Sequence, residues 1–133
     1  MDLPFLPARR LAALIRTRKL SATEVMRAFI KQVERINPQV NAIVTFLPEQ
    51  ALKAAKALDR SRAPKSPLAG LPIAYKDNVP TKGIRTTSGS PVYRDNVPKE
   101  NHVIVDRLTA AGAITLGKTN LPEFGLGSHP FNE

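Results

Sequence analysis

The stretch LAGLPIAYKDNVPTKGIRTTSGS, Leu68 to Ser90, decides the fold. Within it Leu71–Tyr75 is a short apolar run that reads as a buried strand and opens directly into Lys76, Asp77 and Asn78. A loop rich in Gly, Pro, Thr and Ser follows. Open α/β sheets place their chemistry at the carboxyl ends of strands, and that is where Lys76 falls. An ammonium on four methylenes is costly to bury without partners, so on spacing alone a lysine here more often snorkels to solvent.

Working outward, residues 100–111 carry Val103, Ile104, Leu108 and Ala111 on one side of a helix, with Gly112 placed as its left-handed C′ residue. Ala113–Leu116 then reads as a strand. Strand, helix and strand make a βαβ unit with parallel strands, right-handed by the general rule. Its connection, Asp77 to Lys99, is long enough to suggest function or mobility. Upstream, residues 8–18 form a short amphipathic helix after Pro7. Ser21-Ala22-Thr23-Glu24 is a capping box that opens a second helix. Val25, Met26, Phe29, Ile30, Val33 and Ile36 line one face of it, and Asn37-Pro38 is expected to stop it. Asn41–Phe46 reads as a strand, Glu49–Leu58 as a helix, and Arg60–Pro67 as a polar linker.

Three segments carry a family resemblance. Gly70–Asp77 fits G-[LV]-P-[IV]-x-x-K-D, Gly83–Ser90 fits G-x-x-T-[TA]-x-G-S, and Leu108–Phe124 fits L-x-x-A-G-A-x-x-x-G-K-T-N-x-x-E-F. In that order and spacing they resemble the amidase signature family, and the likeness covers nearly the whole chain. The resemblance implies an α/β fold, the N-terminal part of a three-layer α/β/α architecture with a mixed central sheet. On that reading residues 1–65 are its mainly helical, basic portion and residues 66–133 its βαβ portion with the catalytic lysine. The implied activity is hydrolysis of carboxylic amides by a Ser–cis-Ser–Lys triad in which Lys76 is the base. A base must be neutral, and burial favours the neutral form of a lysine. Thr86–Ser90 would shape the floor near Lys76. Both triad serines lie downstream in glycine- and serine-rich segments, and no G-G-S-S-G-G run occurs in this sequence. The sequence thus reads as an N-terminal piece, inactive by itself.

Two subfamilies fit the motifs, the general amidases and the A subunit of tRNA-dependent amidotransferase. The tail Gly127–Glu133 and the loop Gly83–Ser90 lean toward the general amidases. The substrate implied for the full-length enzyme is a small-molecule amide, without cofactor or metal, and the resemblance leaves room for a homodimer. A reading from another class is a non-catalytic basic interaction module.

Composition narrows these classes. The chain has 133 residues with net charge +9, and residues 1–65 hold +8 of it. Two Tyr, five Phe and no Trp leave few stacking platforms, which argues against nucleic acid despite the charge. Zero cysteines exclude disulfides and thiolate metal sites and fit a cytoplasmic protein. His102 and His129 lack partners at zinc-ligand spacing, and both are expected to be solvated. There is no apolar run of about 18 residues to span a membrane, and the apolar run after Arg9-Arg10 is too short for a signal peptide.

Gly112–Thr119 also satisfies the phosphate-loop expression G-x-x-x-x-G-K-[ST]. That mechanism needs a strand before the first glycine and a helix at the lysine, whereas here a helix precedes and a strand intervenes. Nucleotide binding is not expected. Ser88, Ser90 and Ser128 sit in neither S-x-x-K nor G-x-S-x-G context and read as loop hydroxyls. Asp77 reads as structural, paired to a cation or capping a turn.

Overall fold

The computed structural model describes residues 2–61 and 66–130. Residues 62–65 of the linker read over Arg60–Pro67, and the last three residues of the tail Gly127–Glu133, lie outside the described residues. In chain order the main elements are α1 (Ala8–Arg16), α2 (Ala22–Val40), β1 (Ile43–Phe46), α3 (Pro48–Arg60), β2 (Pro72–Lys76), α4 (Val103–Ala110) and β3 (Ile114–Thr119). The sheet has the order β1-β3-β2. β3 pairs parallel with β2 and antiparallel with β1, so the sheet is mixed as expected.

The βαβ unit follows the sequence reading, and β3 extends three residues further, to Thr119. That extension takes Gly117 and Lys118 into the strand. Gly117 is required there because an added Cβ would collide with the Thr45 carbonyl oxygen and lie 2.9 Å from Ile43 Cγ2. Between Ile73 and Ala74 of β2 the register shifts, so β3 carries one extra residue there, two positions before Lys118. Bulges of this kind re-aim side chains and concentrate beside functional sites. Gly112 follows the helix with φ +92°, and an added Cβ would meet Ser66 Oγ at 2.6 Å and Ala69 Cα at 2.8 Å. The helix end is thereby packed against the entry to β2.

One apolar core joins the helices to the sheet. Leu11 and Ile15 of α1, Val25, Met26 and Ile30 of α2, and Ala51 and Ala55 of α3 pack with Leu71, Ile114 and Leu116. α2 opens on the expected capping box: Ser21 Oγ accepts from the Glu24 amide at 3.0 Å, and Glu24 Oε2 accepts from the Ser21 amide at 2.8 Å. A second cap comes from α3, where the Asp59 carboxylate accepts from the amides of Ala22 (2.8 Å) and Thr23 (3.0 Å).

Two expectations are corrected. Asn37-Pro38 does not stop α2, which continues to Val40 and ends on Asn41 in the left-handed conformation at φ 45°. The reason is tertiary: the Asn37 amide bonds both backbone groups of Ile43, at 2.7 and 2.9 Å, and holds the last turn against β1. In α4 the buried side chain is Val105, with Leu108 half-buried, whereas Val103 and Ile104 are exposed at 57% and 46%. The periodic stripe is legible in the sequence, but nothing among the described residues covers its first turn.

Candidate active site

At the carboxyl end of β2 the side chains alternate: Tyr75 is buried, Lys76 exposed and Asp77 buried. The chain then turns sharply, with the Val79 amide donating to the Lys76 carbonyl at 2.9 Å. Lys76 is therefore placed at the strand end, as the sequence implied. The described residues do not supply the burial that a neutral lysine calls for.

The buried lysine is a different one. Lys118, the penultimate residue of the bulged strand β3, is wholly inaccessible, and so is Asp77. The Lys118 ammonium donates to the Val79 carbonyl at 2.8 Å and to Thr86 Oγ1 at 2.7 Å. It lies 3.6 Å from Asp77 Oδ1. Asp77 Oδ2 accepts from the Thr87 amide at 3.0 Å and from the Thr87 hydroxyl. Thr86 and Thr87 thus divide the pair, one hydroxyl serving the cation and its neighbour serving the anion. Burial pushes the Lys118 ammonium below the usual lysine range, and the Asp77 carboxylate opposes that shift. Asp77 Oδ1 and the Tyr75 hydroxyl are buried without a hydrogen-bond partner among the described residues.

This geometry removes the phosphate-loop reading. Lys118 sits inside a paired strand with protein oxygens around its ammonium, and Gly112 ends a helix rather than beginning a loop. The structural reading of Asp77 holds, and its cation is Lys118. Nothing in the G-K-T segment itself marks Lys118 as a buried charge.

The loop 83–90 lies against this pair. The Ser88 amide donates to the Asp77 carbonyl at 2.8 Å, and Ser90 Oγ donates to Glu123 Oε1 at 2.7 Å. Ser90 Oγ also accepts from the Val92 amide at 3.4 Å, so Ser90 acts as a loop hydroxyl. Beside the loop is a cavity of about 90 Å³ lined by Asp77, Arg85, Thr87, Ser90, Arg94 and Asn120 among others. Arg85 is fixed there by donating to the Arg94 carbonyl at 2.6 Å. His102 caps α4, its Nδ1 accepting from the Ile104 amide at 3.2 Å, and is exposed. Exposed His129 lies beside Ser128 Oγ, 2.7 Å from its Nδ1. Among the described residues no group of three His, Cys, Asp or Glu is placed to hold a metal. No helix among them is long and apolar enough to cross a membrane.

Comparison with known proteins settles the family. The amidase family matches residues 24–132. The chain belongs to the amidase signature family. The A subunit of glutamyl-tRNA(Gln) amidotransferase from Dehalococcoides mccartyi is 44% identical over 121 residues, covering 90% of this chain and 25% of that protein. Among solved structures, 6-aminohexanoate cyclic dimer hydrolase superposes with a TM-score of 0.85 at 31% identity, covering 99% of this chain and 27% of its own. Fatty acid amide hydrolase superposes at 0.83 with 27% identity, covering 98% and 26%. This amidase-family chain spans about a quarter of the length of these relatives.

Proposed function

We propose that this chain supplies the base of an amide-hydrolysing site, and that the base is Lys76. The observation that carries the proposal is its place. Lys76 falls on the lysine of the family's first motif and stands at the end of β2, beside the buried Asp77–Lys118 pair. In the triad reading the neutral amine of Lys76 accepts a proton relayed through a bridging serine from the nucleophilic serine, whose oxygen attacks the amide carbon. Backbone N–H donors then hold the oxyanion until the amine leaves. The serines and those donors come from segments that the family places after the region matched here. Covering Lys76 with those segments would also supply the desolvation that favours its neutral form.

Two substrate classes follow from the relatives. The named curated relative belongs to an amidotransferase, which favours an amide that gives up ammonia to a second site. The named solved structures are amide hydrolases, which favour release to water. The cleavage step is common to both. The subsidiary leaning toward general amidases, drawn from the tail and the Gly83–Ser90 loop, has no support from the amidotransferase relative.

The test is a completed chain, in which residues 1–133 replace the matching quarter of a full-length amidotransferase relative. Ammonia release from glutamine and from simple carboxamides is then measured. The completed chain should turn over, the 133-residue chain alone should not, and Lys76→Ala should lower the completed chain's kcat by about 10²–10⁴. A completed chain that turns over equally well with Lys76→Ala overturns the assignment.

A further inference from the structure

The buried pair does more than satisfy two charges. Lys76 closes a tight turn with Val79, and the far end of that turn is the carbonyl to which Lys118 donates. Its near end is fixed to β3 by the Asp77 amide, which donates to the Thr119 carbonyl at 3.0 Å. The loop 83–90 is fixed to the same two residues by four bonds. Thr86 Oγ1 accepts from Lys118, Asp77 Oδ2 accepts from the Thr87 amide and hydroxyl, and the Ser88 amide donates to the Asp77 carbonyl. Lys118 of β3 and Asp77, the residue that follows β2, therefore clamp the turn that carries Lys76 and the loop that faces it. An apolar plug of the same volume would fill the space, but it would leave the Val79 carbonyl and the Thr86 hydroxyl without their cation.

We propose that Lys118, held beside Asp77, is a positioning residue for Lys76: its ammonium, shared between the Val79 carbonyl and Thr86 Oγ1, fixes the direction in which Lys76 leaves β2. This rests on the reading of Lys76 as the base. The two ideas separate experimentally because Lys118 does not touch substrate. Lys118→Met alone strands the buried Asp77 carboxylate and endangers folding. The informative variant is therefore Lys118→Met with Asp77→Asn, a neutral pair of matching size that keeps an acceptor for Thr87.

In the completed chain that double variant should keep its melting cooperative while kcat falls about a hundredfold, the cost of misplacing a reacting group by about 1 Å, with KM unchanged. A folded double variant with parental kcat reduces the pair to a scaffold and overturns the proposal. If Lys76→Ala retains activity, the base assignment fails instead. A readout independent of turnover comes from amide hydrogen exchange in the 133-residue chain. In the double variant the Asp77 and Ser88 amides should exchange at least tenfold faster, while the Ile114 amide, bonded to the Leu71 carbonyl at 2.8 Å at the other end of the same strands, stays as protected as before. Equal protection of Ser88 in parent and double variant overturns the clamp even where the completed chain shows no activity.

Discussion

The two halves of this chain are held together differently. Residues 2–61 follow the ordinary rule: amphipathic helices bury Leu11, Val25, Met26 and Ala55, and their arginines and lysines face water. In residues 66–130 the loop region is organised around a buried ion pair and threonine hydroxyls, while large apolar side chains lie outside. Val92 and Leu126 are 80% and 76% exposed, and Val97, Val103 and Phe124 are about half exposed. An apolar core tolerates small shifts at modest cost. A buried charged network is less forgiving, because each missing partner leaves a desolvated group behind. The second half therefore trades tolerance for fixed geometry, in the half that holds the candidate base.

Substitutions can break that contrast in graded steps. The largest effect is on turnover, where Lys76→Ala in the completed chain should remove most ammonia release yet leave the melting temperature unchanged. Next is stability in the second half. Lys118→Met should cost about 3–5 kcal/mol by denaturant titration, since it leaves the Asp77 carboxylate buried and unpaired. Met26→Ala, in the apolar core of the first half, should cost about 2–5 kcal/mol and leave the exchange rates of the Thr87 and Ser88 amides in their parental order. If Met26→Ala speeds exchange of the Thr87 and Ser88 amides as much as Lys118→Met does, the two halves are not held together differently.

The smallest effect lies at the start of α2. Ser21→Ala should cost about 1 kcal/mol. Ser21 holds the Glu24 carboxyl below the usual carboxylate range through its amide and hydroxyl. That contribution is present above the ordinary carboxylate range and is lost as pH falls through the lowered Glu24 value. The stability gap between parent and Ser21→Ala should therefore narrow in acid to the part that Ser21 Oγ carries by accepting from the Glu24 amide, and a gap independent of pH would show that the hydroxyl adds nothing to the Glu24 carboxylate.

How much of this is legible in the sequence depends on where each residue's partners lie. The capping box is readable because Ser21 and Glu24 satisfy each other within one turn. The strands and their parallel pairing are readable from two apolar runs separated by a helix. The continuation of α2 through Pro38 is not, because Asn37 bonds to Ile43 only after the chain has turned into β1. The buried face of α4 differs from its apolar stripe because a stripe does not say which neighbours exist to cover it. Lys118 is the largest omission. Its acceptors lie 32 and 39 residues away, so no local pattern marks it as buried. The motif locates Lys76 at the end of β2, while its environment depends on what packs over that strand end.

The contrast between the halves rests on Asp77 and Lys118 acting as one unit, and a double-mutant cycle measures that directly. Unfolding free energies of the parent, Asp77→Asn, Lys118→Met and the double variant give the coupling between the two side chains. The expected coupling is about 1.5–3 kcal/mol, with the double variant more stable than Lys118→Met alone. Single effects that add to within about 0.5 kcal/mol would contradict it, and would show that the second half is held by something other than this pair.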